Sequence, residues 1–272
     1  MHRMLLDLKI SIRARWARLF TTVVVVVVGT LGFAGCKDKS EPAPEAGIDY
    51  YPVAVGNYWV YAVTDTTWSA ATSPTSGSVP TVSNYQFKET ITETFTDAAG
   101  QPAYRLVRSK KAPSETDFRA DSVFVLSTSA QAVVLNRNNS RTLELIFPVR
   151  DGRLWNFNAY NNNLNDTITA ETRRYSDVGQ PFTTGGTGGI PAKAYPATLI
   201  TNNDGTAAEN SLLRRVSYQQ VFAKGVGPVY RRRDYFVYYN YTDPSTGNQI
   251  YPRGYYSNAM TRRETLIDYK LR

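Results

Sequence analysis

Histidine and cysteine are almost absent from this 272-residue chain, which has one residue of each. They are His2 and Cys36, so no imidazole or thiol lies beyond residue 36. Ser-His-Asp or Cys-His catalysis needs these side chains, as do zinc and haem sites with His or Cys ligands. A disulfide framework needs at least two cysteines. The body of the chain therefore lacks the groups for these chemistries, and we expect neither a cofactor nor a metal.

The N-terminus has the layout of a bacterial export signal. Residues 1–20 carry five Lys/Arg and one acid, and the uncharged run 19–35 that follows includes six consecutive valines. This run has the length that signal peptides use, and it is marginal for a membrane span, which takes about 20 apolar residues. The pattern predicts a signal peptide over residues 1–35.

The apolar run ends in the sequence LGFAGC at residues 31–36. This ending resembles the bacterial lipoprotein signal, in which an apolar residue and two small residues precede the cysteine that is acylated. We therefore predict lipidation at Cys36 and a location in the cell envelope, at the outer membrane. Several acyl chains would hold the protein there almost permanently, because each buried CH₂ group contributes ~0.8 kcal/mol. The alternative is an uncleaved anchor helix with Cys36 incidental beside it.

Much of the basic character of the chain belongs to its first 35 residues. They hold five Lys/Arg and one Asp, so the net charge of the remaining chain is +4 rather than +8. A clustered basic surface is typical of nucleic-acid-binding proteins. Because half of the excess positive charge lies in the first 35 residues, we expect no nucleic-acid partner here. Residues 36–49 contain two prolines and show no hydrophobic period. They are predicted to be a flexible tether that follows the lipidated Cys36.

Residues 50–272 are predicted to form one all-β domain. Apolar residues alternate along short segments, and Tyr, Thr, Val and Phe are abundant, as is typical of strands. In one segment Tyr85, Phe87 and Ile91 share one parity, whereas Lys88 and Thr90 take the other, so one face is expected to be core and the other wet. Turn residues separate the segments, which predicts an antiparallel meander. The expected architecture is a single curved antiparallel sheet or a half-open barrel.

The strand boundaries follow from this alternation. No segment shows a convincing amphipathic helix, although 207–213 or 254–260 could form one short helix. The predicted strands are 57–64, 84–96, 103–110, 118–127, 132–136, 142–147, 166–174, 192–201, 212–222, 229–239 and 265–271.

Several short motifs resemble those of a family of Bacteroidota envelope lipoproteins. Segment 50–61, YYPVAVGNYWVY, resembles that family's opening phrase P-L-x-x-G-N-x-W-x-Y. Segment 222–229, FAKGVGPV, resembles its G-V-G-x-V element, and 263–269 resembles its last strand. Residues 147–148 with Trp155 resemble its central element. The resemblance implies a curved antiparallel sheet or half-open barrel at the envelope. It implies no reaction, because activities in that family are mostly unassigned.

Arginine doublets are the most suggestive feature of the predicted strands. Adjacent residues of a strand face opposite sides, so one member of each doublet is expected to face inward. Inward arginines that meet would form a pocket for phosphate or carboxylate, and Arg215, Arg232 and Arg263 are the candidates. The alternative is pairing with acids such as Asp234. The doublets are Arg173-Arg174, Arg214-Arg215, Arg231-Arg232-Arg233 and Arg262-Arg263.

Four other residues have two possible roles. Trp59 and Trp155 are expected to anchor the core, and the alternative is an aromatic wall for an apolar or sugar ligand. Glu89 and Glu93 share the apolar parity of their strand, with Cα atoms ~13 Å apart at ~3.3 Å per residue. That exceeds the ~5–9.5 Å carboxyl separations of glycosidases, so the two glutamates are not expected to form a catalytic pair. A position at a barrel rim or at a β-bulge explains them more simply.

These observations predict a lipid-anchored envelope protein that acts as a binding or interaction module and not as an enzyme. Its partners would be the membrane, through the anchor, and a glycan, lipid or envelope protein. One alternative is a carrier of lipid or apolar ligands in the concavity of the sheet. Another is a carboxylate-dependent glycan hydrolase. A deep apolar cleft would favour the carrier, a shallow Tyr/Trp groove would favour glycan binding, and two carboxyls at glycosidase spacing would favour the hydrolase.

The lipid anchor can be tested directly. We predict that Cys36→Ser abolishes acylation and leaves the protein soluble or stalled as a precursor, because the acyl acceptor is lost. Intact-mass analysis and membrane fractionation measure this. The same acylated mass in the variant as in the wild type would contradict the prediction.

Overall fold

The structure is a computed structural model that describes residues 46–137, 140–161, 171–186, 188–203 and 210–272. These residues fall within one unit, Pro44–Arg272. The predicted signal peptide, Cys36 and most of the predicted tether lie outside them. No helix in the described part of the chain is long and apolar enough to cross a membrane.

Fourteen strands make up almost all of the regular structure in the described residues. Twelve of them form one antiparallel sheet in the order β6-β5-β4-β3-β2-β1-β14-β11-β10-β9-β8-β7, and β12 and β13 form a small hairpin. The predicted all-β fold with one curved antiparallel sheet is therefore confirmed, and the sheet curves into a nearly closed barrel. The strands are β1 (Tyr58–Trp68), β2 (Pro80–Thr96), β3 (Pro102–Lys111), β4 (Arg119–Thr128), β5 (Ala132–Arg137), β6 (Ser140–Ile146), β7 (Leu154–Asn156), β8 (Thr172–Thr184), β9 (Lys193–Asn203), β10 (Arg214–Ala223), β11 (Gly227–Tyr238), β12 (Tyr241–Thr242), β13 (Gln249–Ile250) and β14 (Tyr256–Lys270).

The seam of the barrel lies between β6 and β7, and individual hydrogen bonds bridge it. The Leu143 N–H donates to the Phe157 carbonyl at 2.9 Å. The indole N–H of Trp155 donates to the Leu143 carbonyl, also at 2.9 Å. The Tyr175 hydroxyl accepts from the Ile146 N–H at 2.7 Å and donates to the Ile146 carbonyl at 2.8 Å. One tyrosine thus satisfies both backbone groups of a residue at the sheet edge, where unpaired groups would be costly.

The apolar core includes inward side chains from most strands of the barrel. Trp59 and Tyr61 of β1 are fully buried there. The Trp59 indole donates to the Val226 carbonyl at 2.7 Å, and its ring meets Tyr51 at 6.0 Å between centroids. Gly227 has φ +101°, and a Cβ at this position would lie 3.1 Å from the Trp59 ring nitrogen. The glycine of the G-V-G motif is therefore required by both its backbone conformation and the packed indole.

A 3-10 helix, Ile48–Tyr50, precedes β1. Its Asp49 carbonyl accepts a hydrogen bond from the Gly225 N–H at 2.8 Å, and Tyr50 is fully buried. Residues 48 and 49, which were expected to belong to the tether, are thus attached to the barrel.

Several strands are longer than the sequence predicted. β1 continues to Trp68, β2 begins at Pro80, β8 continues to Thr184 and β14 begins at Tyr256. The short strand β7 was not predicted. These extensions carry polar or charged residues on both faces, so the alternation of apolar and polar residues that marks a strand is lost there.

Neither of the two suggested helices is present in the described residues. Segment 254–260 enters β14, and residues 210–213 of the other segment form a bridge and bends. Segment 207–209 lies outside the described residues, as does 166–170 of one predicted strand.

Candidate functional site

Charged side chains occupy the barrel interior next to the apolar core. On the inner face of β2, Glu89 lies two residues from the fully buried Ile91 and is only 1% exposed. The β2–β3 register places Arg108 opposite Glu89, and the β11–β14 register places Arg231 opposite Glu264. We call these four charged residues the ion layer.

The ion layer is connected by short charge-assisted hydrogen bonds. Arg231 donates to both carboxylate oxygens of Glu89, at 3.1 and 3.0 Å, and to Glu264 at 2.9 Å. Arg108 donates to Glu89 at 2.6 Å through Nη2 and at 3.1 Å through Nε. The Arg231 guanidinium also lies 4.8 Å from the centre of the Tyr61 ring. Because the acids and bases alternate, each buried charge faces an opposite one, which offsets the large cost of desolvation.

These contacts change the acidity of the buried groups. Burial alone would raise the pKa of Glu89, but the guanidinium groups of Arg231 and Arg108 outweigh it and hold that pKa well below its usual range. Burial raises the pKa of Tyr61 well above its ordinary value, although Arg231 opposes this. Glu89 is therefore ionised at neutral pH and cannot serve there as a proton donor.

Further ion pairs lie on either side of the layer. Arg262 donates two hydrogen bonds to the Asp65 carboxylate, at 2.7 and 2.9 Å, and the Tyr85 hydroxyl donates to the same carboxylate at 2.6 Å. Arg137 donates to the buried Glu144 at 2.9 Å. The interior thus combines acids and bases in pairs and does not present a row of free arginines.

Strand alternation does send one member of several doublets inward, and these members bind protein carboxylates. Arg231 and Arg262 are held by the acids named above. Arg173 is 2% exposed and contacts Glu171. For Arg231 and Arg262 the structure matches the alternative weighed from the sequence, which was pairing with acids of the protein itself.

The three candidate arginines do not meet inside the barrel. Arg232 and Arg263 lie on the outer face, where Arg232 binds Asp234 and Arg263 Nη2 lies 3.7 Å from Asp234 Oδ1. Arg215 is exposed at the start of β10. The prediction that Arg232 faces inward was therefore wrong. Val229 is fully buried, and Arg231 has the same parity along β11, so Arg231 is the inward residue of the triplet.

Arg173, like Arg231 through its Nε, has buried donors that no hydrogen bond satisfies. Its guanidinium carbon lies 3.7 Å from the Tyr218 ring centre and 4.5 Å from that of Phe157. Its Nε and Nη1 atoms are buried and have no hydrogen-bond partner. Stacking between two rings supports the cation, as guanidinium groups favour such contacts.

The two glutamates on the predicted strand have different environments. Glu89 lies in the centre of the interior and not at a rim. A bulge between Ile91 and Glu93 shifts the register, as the sequence suggested. Glu93 consequently reaches the surface, where it lies 3.0 Å from Arg105 with both side chains half exposed. Such an exposed pair contributes little to stability.

Both predicted tryptophans pack in the core. Trp59 is fully buried and Trp155 is 8% exposed. The centres of the Trp155 and Tyr175 rings lie 4.5 Å apart, and the Trp155 indole N–H donates the hydrogen bond to Leu143 at the seam. Their hydrogen bonds are made within the protein, so both residues have the expected anchoring role.

A second aromatic group, which sequence reasoning missed, covers the ends of β11 and β14. Its rings are partly exposed, and centroids of neighbouring rings lie 5.3–6.4 Å apart. The signal in the sequence was the density of tyrosine between residues 235 and 256. We call this group the aromatic rim; its members are Trp68, Phe236, Tyr238, Tyr239, Tyr241, Tyr255 and Tyr256.

The rings of the rim form two contact groups. Tyr238 and Tyr256 are paired in the register and belong to the group with Trp68 and Phe236. Tyr239 and Tyr255 lie just outside the two strands, where the Tyr239 N–H donates to the Tyr255 carbonyl at 3.0 Å, and they form the second group with Tyr241. Tyr251 nearby is 37% exposed.

Three surface depressions lie elsewhere, and no residue of the ion layer lines them. One of 480 Å³ lies beside the 3-10 helix and is lined by Tyr51, Val53 and Phe147 among others. A second, of 270 Å³, includes Tyr85 and Lys111. A third lies at the turn that contains Asp151. Among the described residues no cluster of three or more His, Cys, Asp and Glu could hold a metal ion.

Comparisons with known proteins gave no match: no family model, no curated protein and no solved structure is similar enough to this chain to be matched.

Removal of one charge from the ion layer should destabilise the barrel strongly. We predict that Glu89→Gln lowers the free energy of unfolding by about 3–5 kcal/mol, because Arg231 and Arg108 lose their shared counter-charge in a buried site. The exposed Glu93→Gln variant is the control and should change it by no more than about 1 kcal/mol. Urea denaturation measures both.

The wild type and the Glu89→Gln variant can also be compared as a function of pH. The pKa of Glu89 is lowered in the folded state, so its contribution is fully present at neutral pH and is lost as the pH falls below the unfolded value of about 4.3. The deficit of Glu89→Gln relative to the wild type should shrink between pH 7 and pH 3. A deficit that is constant with pH would contradict the ionised, paired state.

Proposed function

We propose that this protein is a lipid-anchored component of the cell envelope that binds a partner through the aromatic rim. The export signal and the lipoprotein-like ending at Cys36 support the anchor. The resemblance of segments 50–61 and 222–229 to envelope lipoproteins of the Bacteroidota supports the same location. The rim supports the binding role.

The observation that carries the proposal is the cluster of partly exposed rings at the ends of two long strands. Tyrosine and tryptophan dominate binding hot spots, because each supplies a large, rigid contact area at a low cost in conformational entropy. Phe236 and Tyr238 of the rim belong to β11 and Tyr256 belongs to β14, strands whose inner faces carry Arg231 and Glu264. Its rings are therefore held in place before a partner arrives, which lowers the cost of binding.

The barrel interior favours a binding module over a lipid carrier. An apolar ligand in the concavity would have to displace or contact the paired charges of the ion layer. Burial of charges against an apolar ligand without new partners is unfavourable by several kcal/mol. The interior position of Glu89, Glu264 and their arginines therefore argues for a partner that binds outside the barrel.

The same groups argue against a carboxylate-dependent hydrolase at this place. Such an enzyme needs one carboxyl group that is protonated near neutral pH, with a raised pKa. The pKa of Glu89 is shifted in the opposite direction. Both Glu89 and Glu264 are hydrogen-bonded to Arg231, so neither presents a free carboxylate to a substrate.

The rim can be tested without knowing the partner. The unit Pro44–Arg272, which holds the whole barrel and lacks Cys36, is mixed with isolated cell envelopes of the producing bacterium and sedimented. We expect the wild-type unit to sediment with them and the Tyr239→Ala/Tyr241→Ala variant to bind at least about tenfold more weakly, because hot-spot tyrosines each contribute more than ~1 kcal/mol.

The control variant changes Tyr58 and Tyr160, two tyrosines that lie outside the aromatic rim. Tyr58 lies at the start of β1, and Tyr160 is 47% exposed. The Tyr58→Ala/Tyr160→Ala variant should sediment like the wild type. Equal losses in both variants, or no sedimentation of the wild-type unit, would refute the proposed role of the rim.

A further inference from the structure

We infer that the partner of the aromatic rim is a protein that presents acidic residues beside an apolar patch. This inference rests on the proposed binding role of the rim and adds the class of partner. It depends on the side chains that border the rim, on their charge and on the position of the rim relative to the predicted lipid anchor.

Exposed aliphatic side chains border the rim on two sides. On one side, Leu212 is 74% exposed and Leu213 is 50% exposed, and the Leu213 carbonyl accepts a hydrogen bond from the Tyr238 N–H at 2.9 Å. On the other side, Val82 is 58% exposed and lies on β2, beside the end of β1 that carries Trp68. Exposed apolar side chains that adjoin aromatic rings mark a surface that another macromolecule covers.

Arginines share the outer face with Phe236 of the rim. The β10–β11 register places Arg215 opposite Phe236, and the β11–β14 register places Arg232 opposite Arg263. Residues that lie opposite each other in an antiparallel pair share a face, as do residues of the same parity on one strand, such as Arg232 and Phe236. The three arginines and the Phe236 ring therefore belong to one continuous surface.

The charge of this surface is positive. Segments 66–83, 210–219 and 232–263, which contain the rim and its neighbours, hold seven arginines and only two acids. Both acids have partners within the protein: Asp234 is buried and binds Arg232, and Asp243 accepts hydrogen bonds within the turn between β12 and β13. Among the described residues, no carboxylate forms an ion pair with the exposed Arg214 or Arg215. Charge complementarity therefore favours an acidic partner.

The combination of side chains is typical of a protein–protein interface. Trp, Tyr and Arg dominate the hot spots of such interfaces, where surrounding contacts exclude water. Leucine and valine side chains have no hydrogen-bonding groups for the hydroxyls of a sugar, whereas they pack against the apolar residues of a protein. The exposed Leu212, Leu213 and Val82 therefore favour a protein over a glycan.

The position of the rim favours a protein over the membrane. The chain that follows the predicted anchor enters the barrel through the 3-10 helix, and Tyr51 after this helix contacts Trp59 near the start of β1. From Tyr58 to Trp68, β1 extends about 33 Å at ~3.3 Å per residue. The predicted anchor thus joins the barrel at the end opposite to the rim, and the rim is directed away from that attachment point.

The experiment uses the same sedimentation assay with treated envelopes. One sample of envelopes is digested with proteinase K and washed, and a second is oxidised with periodate, which cleaves the vicinal diols of sugars. Protein-free vesicles of phosphatidylethanolamine and phosphatidylglycerol form a third sample. We expect the wild-type unit to bind the digested envelopes at least about tenfold more weakly, to bind the oxidised envelopes within about twofold of the untreated ones, and not to sediment with the vesicles.

A charge-reversal variant tests the acidic character of the partner. Arg214→Glu/Arg215→Glu should bind untreated envelopes at least about tenfold more weakly than the wild type, because the acids of the partner would then face like charges. The control is Arg150→Glu/Lys270→Glu, which makes the same charge change at two exposed positions outside the rim and should bind like the wild type. Wild-type binding should also weaken as salt rises from about 50 to about 500 mM, because salt screens exposed charges.

A second variant tests the apolar contact. Leu212→Ser/Leu213→Ser should weaken binding at least about fivefold, whereas Val123→Ser/Ile267→Ser, which changes two exposed apolar residues elsewhere, should leave it unchanged. Thermal melts of all four variants show that the barrel remains folded.

Each other outcome overturns the inference. Full binding to the digested envelopes, or sedimentation with the lipid vesicles, would exclude a protein partner, and loss of binding to the oxidised envelopes would identify a glycan. Wild-type binding by Arg214→Glu/Arg215→Glu would exclude an acidic partner. In all these cases the Tyr239→Ala/Tyr241→Ala result could still stand, so the binding role of the rim and the inference about its partner fail separately.

Discussion

Arg231 between Glu89 and Glu264 is the interaction on which the rest of the structure depends. The guanidinium joins the inner faces of β2 and β14 to its own strand β11, and Arg108 adds β3. Both carboxylates are buried and both arginines are mostly buried, so each charge needs a partner inside the barrel. The registers of β2 with β3 and of β11 with β14 bring these acids and bases together.

The ion layer also supports the proposal that a partner binds outside the barrel. Its charges lie among buried apolar side chains, with Glu89 between Phe87 and Ile91 on the inner face of β2. Hydrogen bonds of Trp155 and Tyr175 bridge the seam. The surface with large, ordered and partly exposed rings is then the end of β11 and β14. The same two strands thus carry the charged contacts inside and the aromatic rim at their ends.

The fold class followed from the sequence because alternation is a local property. In β2 the parity of Phe87 and Ile91 predicted the inner face correctly, and the predicted cores of most strands lie within the observed ones. The extensions of β1 and β14 were missed where inward positions are charged. β14 begins nine residues before its predicted start, because Arg262 and Glu264 occupy its inner face and an alternation of charged and polar residues gives no signal.

The candidate site was harder to predict for a related reason. In a run such as Arg231-Arg232-Arg233, alternation shows that one parity faces inward but not which one, since Val229 and Tyr230 are both apolar. The pairing of Glu89 with Arg231, 142 positions apart in the chain, depends on strand order, which no local pattern contains. The aromatic rim was visible as a density of tyrosines, but its exposure depends on where β11 and β14 end.

A double-mutant cycle between Glu89 and Arg231 tests the account most directly. The free energies of unfolding of the wild type, Glu89→Gln, Arg231→Met and the double variant give the coupling energy of the pair. The account predicts a coupling of about 1–3 kcal/mol, as for residues within one buried charge network. The exposed pair Glu93 and Arg105 should couple by less than about 1 kcal/mol. A coupling between Glu89 and Arg231 no larger than that of the exposed pair would contradict the account.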